Sequence, residues 1–146
     1  METYRGSKDI RCISYFEKAI RSIEEQTDSD WIIILVDDCS PDPEVIRHEN
    51  VIGKKLGDRI HILRSDVHVG AAEARNIGVR KAHELGCPFI LFMDADDMSH
   101  PKRLENARGF MDALKIATKY RDFSPEEYNT TVTSLYLKIL DYTSLS

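Results

Sequence analysis

The chain has 146 residues, of which 31% are charged and 42% hydrophobic, and it carries a formal net charge of −5. This is ordinary globular composition and excludes a low-complexity or disordered chain, while the acidic balance argues against nucleic acid as the main partner, because phosphate backbones attract clustered Lys and Arg. The longest apolar run, Trp31 to Val36, has six residues, far short of the roughly 20 that a membrane span needs.

Tyr15 to Gln26 carries Phe16, Ala19, Ile20 and Ile23 at helical spacing, which predicts a helix with one apolar face. Trp31 to Val36 is rich in Ile and Val and stops at Asp37-Asp38-Cys39-Ser40-Pro41-Asp42-Pro43, a buried strand running into a polar turn. Pro43 suits a first helical position with Asp42 as its cap. Val45, Glu49, Ile52 and Leu56 then follow on one stripe, and Gly57 closes the helix. Ile60 to Leu63 reads as a second, short strand. Ala71, Ala74, Gly78, Ala82 and Leu85 form a narrow stripe of mainly small residues that lets a helix approach a sheet closely, and Gly86 ends it. Phe89 to Met93 reads as a third buried strand and again runs into acid, Asp94-Ala95-Asp96-Asp97. Ser99 and Pro101 open a further helix with Leu104, Ala107, Met111 and Leu114 inward, and Ser124 to Leu140 has helical spacing too.

Strands alternating with helices imply crossover connections and a parallel sheet covered on both faces. The expected architecture is α/β: a partial doubly wound parallel sheet of three to four strands, with helices on both faces and a helical C-terminal tail. One domain is expected over residues 1–118 and a helical extension over 119–146. The opening residues, Met1 to Lys8, hold no apolar signal region, so secretion is not expected. Cys12, Cys39 and Cys87 form no C-x-x-C pair. Structural zinc and a disulfide framework are therefore not expected, and a cytoplasmic setting fits, with attachment to the inner face of a membrane compatible with it.

In open parallel sheets, ligands bind beyond the carboxyl ends of the strands. A single acid there is usually a solvated turn residue. Two clusters on separate buried strands, Asp37 and Asp38 on one and Asp94, Asp96 and Asp97 on the other, would repel unless a cation or hydrogen-bonding ligand joined them. Mg²⁺ or Mn²⁺ takes one or two carboxylates together with substrate phosphates, so this pattern points to a metal-bound phosphorylated ligand.

These residues also carry a resemblance. Tyr15 to Thr27 resembles the first helix of inverting family 2 glycosyltransferases, and Ile33 to Asp42 is similar to that family's "VDDxSxD" strand and turn. Gly70-Ala71-Ala72-Glu73-Ala74-Arg75-Asn76-Ile77-Gly78 is similar to its "GxxxARNxG" helix start, Phe92 to Asp97 to its "DxD" metal motif, and His100 to Leu104 to the segment after it. The resemblance implies a nucleotide-diphospho-sugar transferase (GT-A like) fold, here the donor-binding half. It implies transfer of a sugar from a nucleoside diphosphate, a UDP-sugar first among them, to an acceptor hydroxyl of unknown identity. Asp37, Asp38, Arg75 and Asp94 would bind the nucleotide, with Asp38 accepting from its base; Asp94 and Asp96 would hold the divalent cation, Mn²⁺ or Mg²⁺. His68 is read as a surface loop residue, His100 as a helix-entry residue and Cys39 as a turn filler.

Two departures qualify the match. The family's first strand should precede Tyr15 and lie between the two acid-tipped strands, but Lys8 to Ser14 offers only Ile10, Cys12 and Ile13 as apolar residues, a poor central strand. No apolar strand follows Met93, and Asp122, Glu126, Glu127 and Asp141 read as caps or solvated residues, so no general base is assigned. The expectation is a truncated or divergent member, whose opened sheet edge invites self-association. Two other classes stay open: a non-catalytic nucleotide-binding remnant, and a receiver-like phosphoacceptor module, which would instead require its acid pair on the first strand and a Lys after a later one.

Overall fold

A computed structural model describes residues 10–119, with side chains from residue 13 to residue 115. The expected tail helix over 124–140 and the extension over 119–146 lie outside the described residues, apart from residue 119. By contact the chain divides into a unit that ends at Arg103 and a second that begins at Leu104.

The first unit opens with α1 (Ile10–Glu24). Its expected stripe is the buried one: Ala19 and Ile20 are 1% and 5% exposed, and Phe16 and Ile23 pack against the core. The helix begins earlier than Tyr15 and takes in the place of the family's first strand. Ile13, Phe16 and Ile20 continue one another at spacings of three and four, so the 3.6-residue period prevails over any strand alternation.

β1 (Ile33–Asp37) and β2 (Ile60–Arg64) pair in parallel, with Ile33 opposite Ile60 and Asp37 opposite Arg64. Between them runs α2 (Pro43–Leu56), built as its sequence demands. The Asp42 carboxylate accepts from Glu44 N at 2.9 Å, Pro43 opens the first turn, and Gly57 closes the last with φ 55°, its N–H bonded to Gly53 O. A single 3-10 turn, Gly57–Arg59, leads into β2. There the Arg59 guanidinium stacks 3.4 Å from the centre of the Trp31 ring, covering the edge of the core.

Strand parity separates the two faces of the sheet. Ile33, Leu35, Ile60 and Ile62 share the apolar core with Ile20 of α1 and Ile52 of α2. A Cβ placed on Gly53 would lie 3.1 Å from Ile62 Cδ1, so α2 approaches β2 closely on this face. Val36, of opposite parity, lies against Gly78 of α3 (Ala71–Glu84), where an added Cβ would meet its Cγ2 at 3.5 Å. On the small-residue stripe Ala82 is buried and Ala74 and Gly78 are half-buried, whereas its two ends, Ala71 and Leu85, are exposed. Helices on both faces of a parallel sheet are thus present.

The sheet differs from expectation in size. Among the described residues it has two strands, not three or four, and Phe89 to Met93 lies outside any ladder, with no regular secondary structure. The physical reason lies in α1. A strand exists only by hydrogen-bonding to a neighbour, and the segment that should have lain between β1 and Phe89 to Met93 is helical. Ile90, Leu91 and Phe92 are accordingly 36–38% exposed, not buried.

The second unit contains most of α4 (Arg103–Lys119), in which Leu104, Ala107, Met111 and Leu114 are half-buried, the face their spacing predicts. No helix among the described residues is long and apolar enough to cross a membrane.

Candidate nucleotide-sugar site

Asp37 and Asp38 are neighbours with opposite surroundings. Asp37 has the parity of Ile33 and Leu35, and its side chain is 3% exposed. Its Oδ1 accepts from Ser40 N at 3.0 Å, and Arg64 Nη1 stands 2.9 Å from its Oδ2 as an ion pair. The other end of the same guanidinium donates to Glu49 of α2, which is 3% exposed. Burial and the nearby Asp37 charge push the Glu49 carboxyl above the usual glutamate range, and Arg64 opposes them.

Asp38 faces the start of α3. Its Oδ1 accepts from Val69 N at 2.6 Å, its Oδ2 accepts from Gly70 N at 2.9 Å, and His68 Nδ1 lies 2.8 Å from Oδ2. Gly70 is the N-cap of α3 and has no side chain to cap with; its φ of 86° is backbone that glycine adopts without strain. A carboxylate from β1's turn therefore satisfies amide donors at the entry to α3. The Val69 hydrogen bond above all, then that from Gly70 and the charge interaction with His68, hold the Asp38 carboxyl below the usual aspartate range against the opposing effect of desolvation. A carboxylate has about four acceptor positions; two of them accept backbone N–H groups, and His68 stands close to Oδ2.

The second acid cluster reaches the same helix. Arg75, in the second turn of α3, donates to Asp94 Oδ1 at 3.0 Å. Gly70 and Arg75 are five residues apart, about 7.5 Å along a helix axis, so both acidic segments are anchored on the first turns of α3. Asp94, Asp96 and Asp97 are exposed, and a turn closes through Asp97 N to Asp94 O at 3.1 Å. The loop beyond is tied to the end of α1: the buried Ser22 accepts from Ser99 N at 2.9 Å, and the buried Gln26 donates to His100 O at 2.8 Å. His100 Nδ1 accepts from Lys102 N at 3.2 Å, which is the helix-entry role expected of it.

Among the described residues no group of three or more His, Cys, Asp or Glu side chains could hold a metal. Asp94 and Asp96 are solvent-facing carboxylates two residues apart on a turn, a donor set that fits Mg²⁺ or Mn²⁺ where phosphates and waters complete the shell.

A family model described as glycosyl transferase family 2 matches residues 11–143. The chain belongs to this family. This family 2 chain is 30% identical over 112 residues to a putative teichuronic acid biosynthesis glycosyltransferase, TuaG, of Bacillus subtilis (strain 168), covering 75% of the chain and 42% of the relative. It is 32% identical over 97 residues to an uncharacterized glycosyltransferase of Haemophilus influenzae, covering 63% of the chain and 30% of the relative. To the amylovoran biosynthesis glycosyltransferase AmsB of Erwinia amylovora it is 25% identical over 118 residues, covering 81% of the chain and 38% of the relative. The chain therefore spans less than half the length of these relatives. No solved structure matches it.

Three residues at the site of this family 2 chain escaped the sequence reading. His68 lies in the loop, as expected, but it touches Asp38. Glu49 and Arg64 were visible only as anomalies: an acid on the apolar stripe of α2 and a cation closing an apolar strand.

Proposed function

We propose that the first unit binds a nucleoside-diphosphate sugar, a UDP-sugar first among them, with a divalent cation, as the donor half of a glycosyl transfer to an acceptor hydroxyl. The observation that carries this reading is the anchoring of both acidic segments on α3, Asp38 at its entry and Asp94 one turn further along. Asp38, kept ionised by backbone N–H groups, retains acceptor capacity for an N–H of the base. Asp37 contributes by shaping the turn, since its own carboxylate is buried against Arg64.

Arg75 holds Asp94 until a diphosphate competes for the guanidinium, which binds phosphate oxygens in the same forked geometry as a carboxylate. Asp94 and Asp96 would hold the cation, whose charge would offset that building on the diphosphate as it leaves. β1 pairs only with β2 among the described residues, and this supports self-association through its other edge; a monomeric mass by light scattering at micromolar concentration would overturn that part.

Thermal melting of the full chain tests the donor reading. Ligand at about 100 times its Kd adds roughly 2.7 kcal/mol to the folded state, enough for a shift of several degrees in a domain of this size. Uridine diphosphate with Mn²⁺ is expected to give that shift, and Asp38→Asn is expected to abolish most of it. No shift with any nucleoside diphosphate and metal overturns the reading.

A further inference from the structure

Asp37, Arg64 and Glu49 form a charge cluster in which one partly exposed guanidinium serves two buried carboxylates. Asp37 ends β1 and Arg64 ends β2, opposite each other in the parallel register, while Glu49 occupies a position on α2 where the stripe would otherwise be apolar. Burying two carboxylates costs more than burying aliphatic side chains of similar size, so core packing alone does not account for them. Arg64 Nη1 is not aligned as a hydrogen-bond donor to Asp37 Oδ2, so this buried oxygen has the guanidinium charge and no hydrogen bond.

The other oxygen of Asp37 accepts from Ser40 N and closes the turn from Asp37 to Ser40. Asp38 sits inside that turn, as does Cys39, which is held at φ 61° with its Sγ donating to Asp66 O at 3.4 Å. The direction in which Asp38 leaves the sheet therefore depends on where the Asp37 carboxylate is held, and Arg64 holds it. The second acidic segment has different supports, Arg75 of α3 and the Ser22 and Gln26 contacts of α1.

We propose that Arg64, itself oriented by Glu49, is a positioning residue for recognition of the donor's base: it clamps Asp37 and so fixes the turn that presents Asp38. The inference rests on the donor reading above and extends it to two residues remote from the ligand. Damage at Arg64 then weakens the base side of the site and spares the diphosphate side, a split that a general loss of structure does not produce.

The experiment titrates the full chain with uridine diphosphate and, separately, with inorganic pyrophosphate, both with Mn²⁺. Arg64→Lys keeps the charge and loses the fork that serves two carboxylates. It is expected to weaken uridine diphosphate about tenfold, the low end of what losing a supporting partner costs a site, and to leave pyrophosphate within about twofold. Glu49→Gln, close in shape and the milder lesion, is expected to show the same split at a severalfold level; it carries the test where Arg64→Lys does not fold. Asp38→Asn is the reference for loss of the base-side carboxylate, together with its contacts to Val69 N and Gly70 N. Equal weakening of both ligands, or no weakening of either, overturns the positioning role while leaving the donor reading intact. A natural chain that binds pyrophosphate with Mn²⁺ but gains nothing from the uridine overturns both.

Discussion

Ile33–Asp37 and the run from Phe89 to Met93 have nearly the same make-up, four and five apolar residues leading into an acidic cluster, yet only the first is a strand. β1 has β2 to pair with, α1 and α2 on one face and α3 on the other. The later run has side-chain tethers instead: the Arg103 guanidinium donates to Phe92 O at 2.7 Å, Ser99 Oγ contacts Met93 Sδ at 3.2 Å, and Arg75 holds Asp94. Hydrophobicity makes a segment eligible for a sheet, and a neighbouring backbone decides whether it joins one. Both segments still deliver a carboxylate to α3, so the candidate site tolerates two very different supports.

The sharpest way to break this contrast is core truncation. Ile52 is 7% exposed within the cluster behind β1 and β2, whereas Leu91 is 38% exposed. Ile52→Ala is expected to cost about 2–5 kcal/mol and Leu91→Ala less than about 1 kcal/mol, as read by urea denaturation. Equal costs would mean that the later run is packed as a strand is.

A smaller effect separates two carboxylates by the sign of their pH dependence. Glu49, facing Asp37 and Arg64, binds its proton more tightly when folded. Its contribution to stability is complete below the ordinary glutamate range and is lost as pH rises through its raised value. Asp38, facing Val69 N, Gly70 N and His68, is the reverse: its contribution is present above the ordinary aspartate range and is lost as pH falls through its lowered value. Glu49→Gln is therefore expected to destabilise more at about pH 4 than at about pH 7, and Asp38→Asn more at about pH 7 than at low pH. Urea midpoints at the two pH values check both signs.

Cys39 offers a gain. Left-handed backbone costs a non-glycine residue roughly 1–2 kcal/mol, part of which a glycine loses to its freer unfolded chain. Cys39→Gly, at φ 61°, is thus expected to stabilise by up to about 1 kcal/mol, seen as a raised melting temperature. The smallest stability effect belongs to Asp94→Asn, because Asp94 and Arg75 are 62% and 50% exposed, and such pairs contribute at most about 1 kcal/mol. Melting is expected to stay nearly unchanged while the Mn²⁺-dependent gain in nucleotide affinity disappears in calorimetry.

Legibility followed distance along the chain. α2 was readable to the residue, since Asp42, Pro43 and Gly57 are local signals that act within one turn of where they stand. β1, β2 and the buried stripe of α1 followed from periodicity. The aspartates of the candidate site were visible as residues, but their partners were not. Val69 and Gly70 lie 31 and 32 positions from Asp38, Asp94 lies 19 from Arg75, and Arg64 lies 15 from Glu49.

Sequence alone determined the helical stripes, the caps, two strands, the family and the acid-bearing turns, because each follows from side-chain period, backbone preference or motif order within a short stretch. Tertiary structure alone decided that Ile10 to Ser14 joins a helix, that Phe89 to Met93 joins no strand ladder among the described residues, and that Asp37 turns inward while Asp38 caps α3. The reason is that a strand's existence and a carboxylate's charge state both depend on which distant groups come within hydrogen-bonding reach, and only the folded chain brings them there.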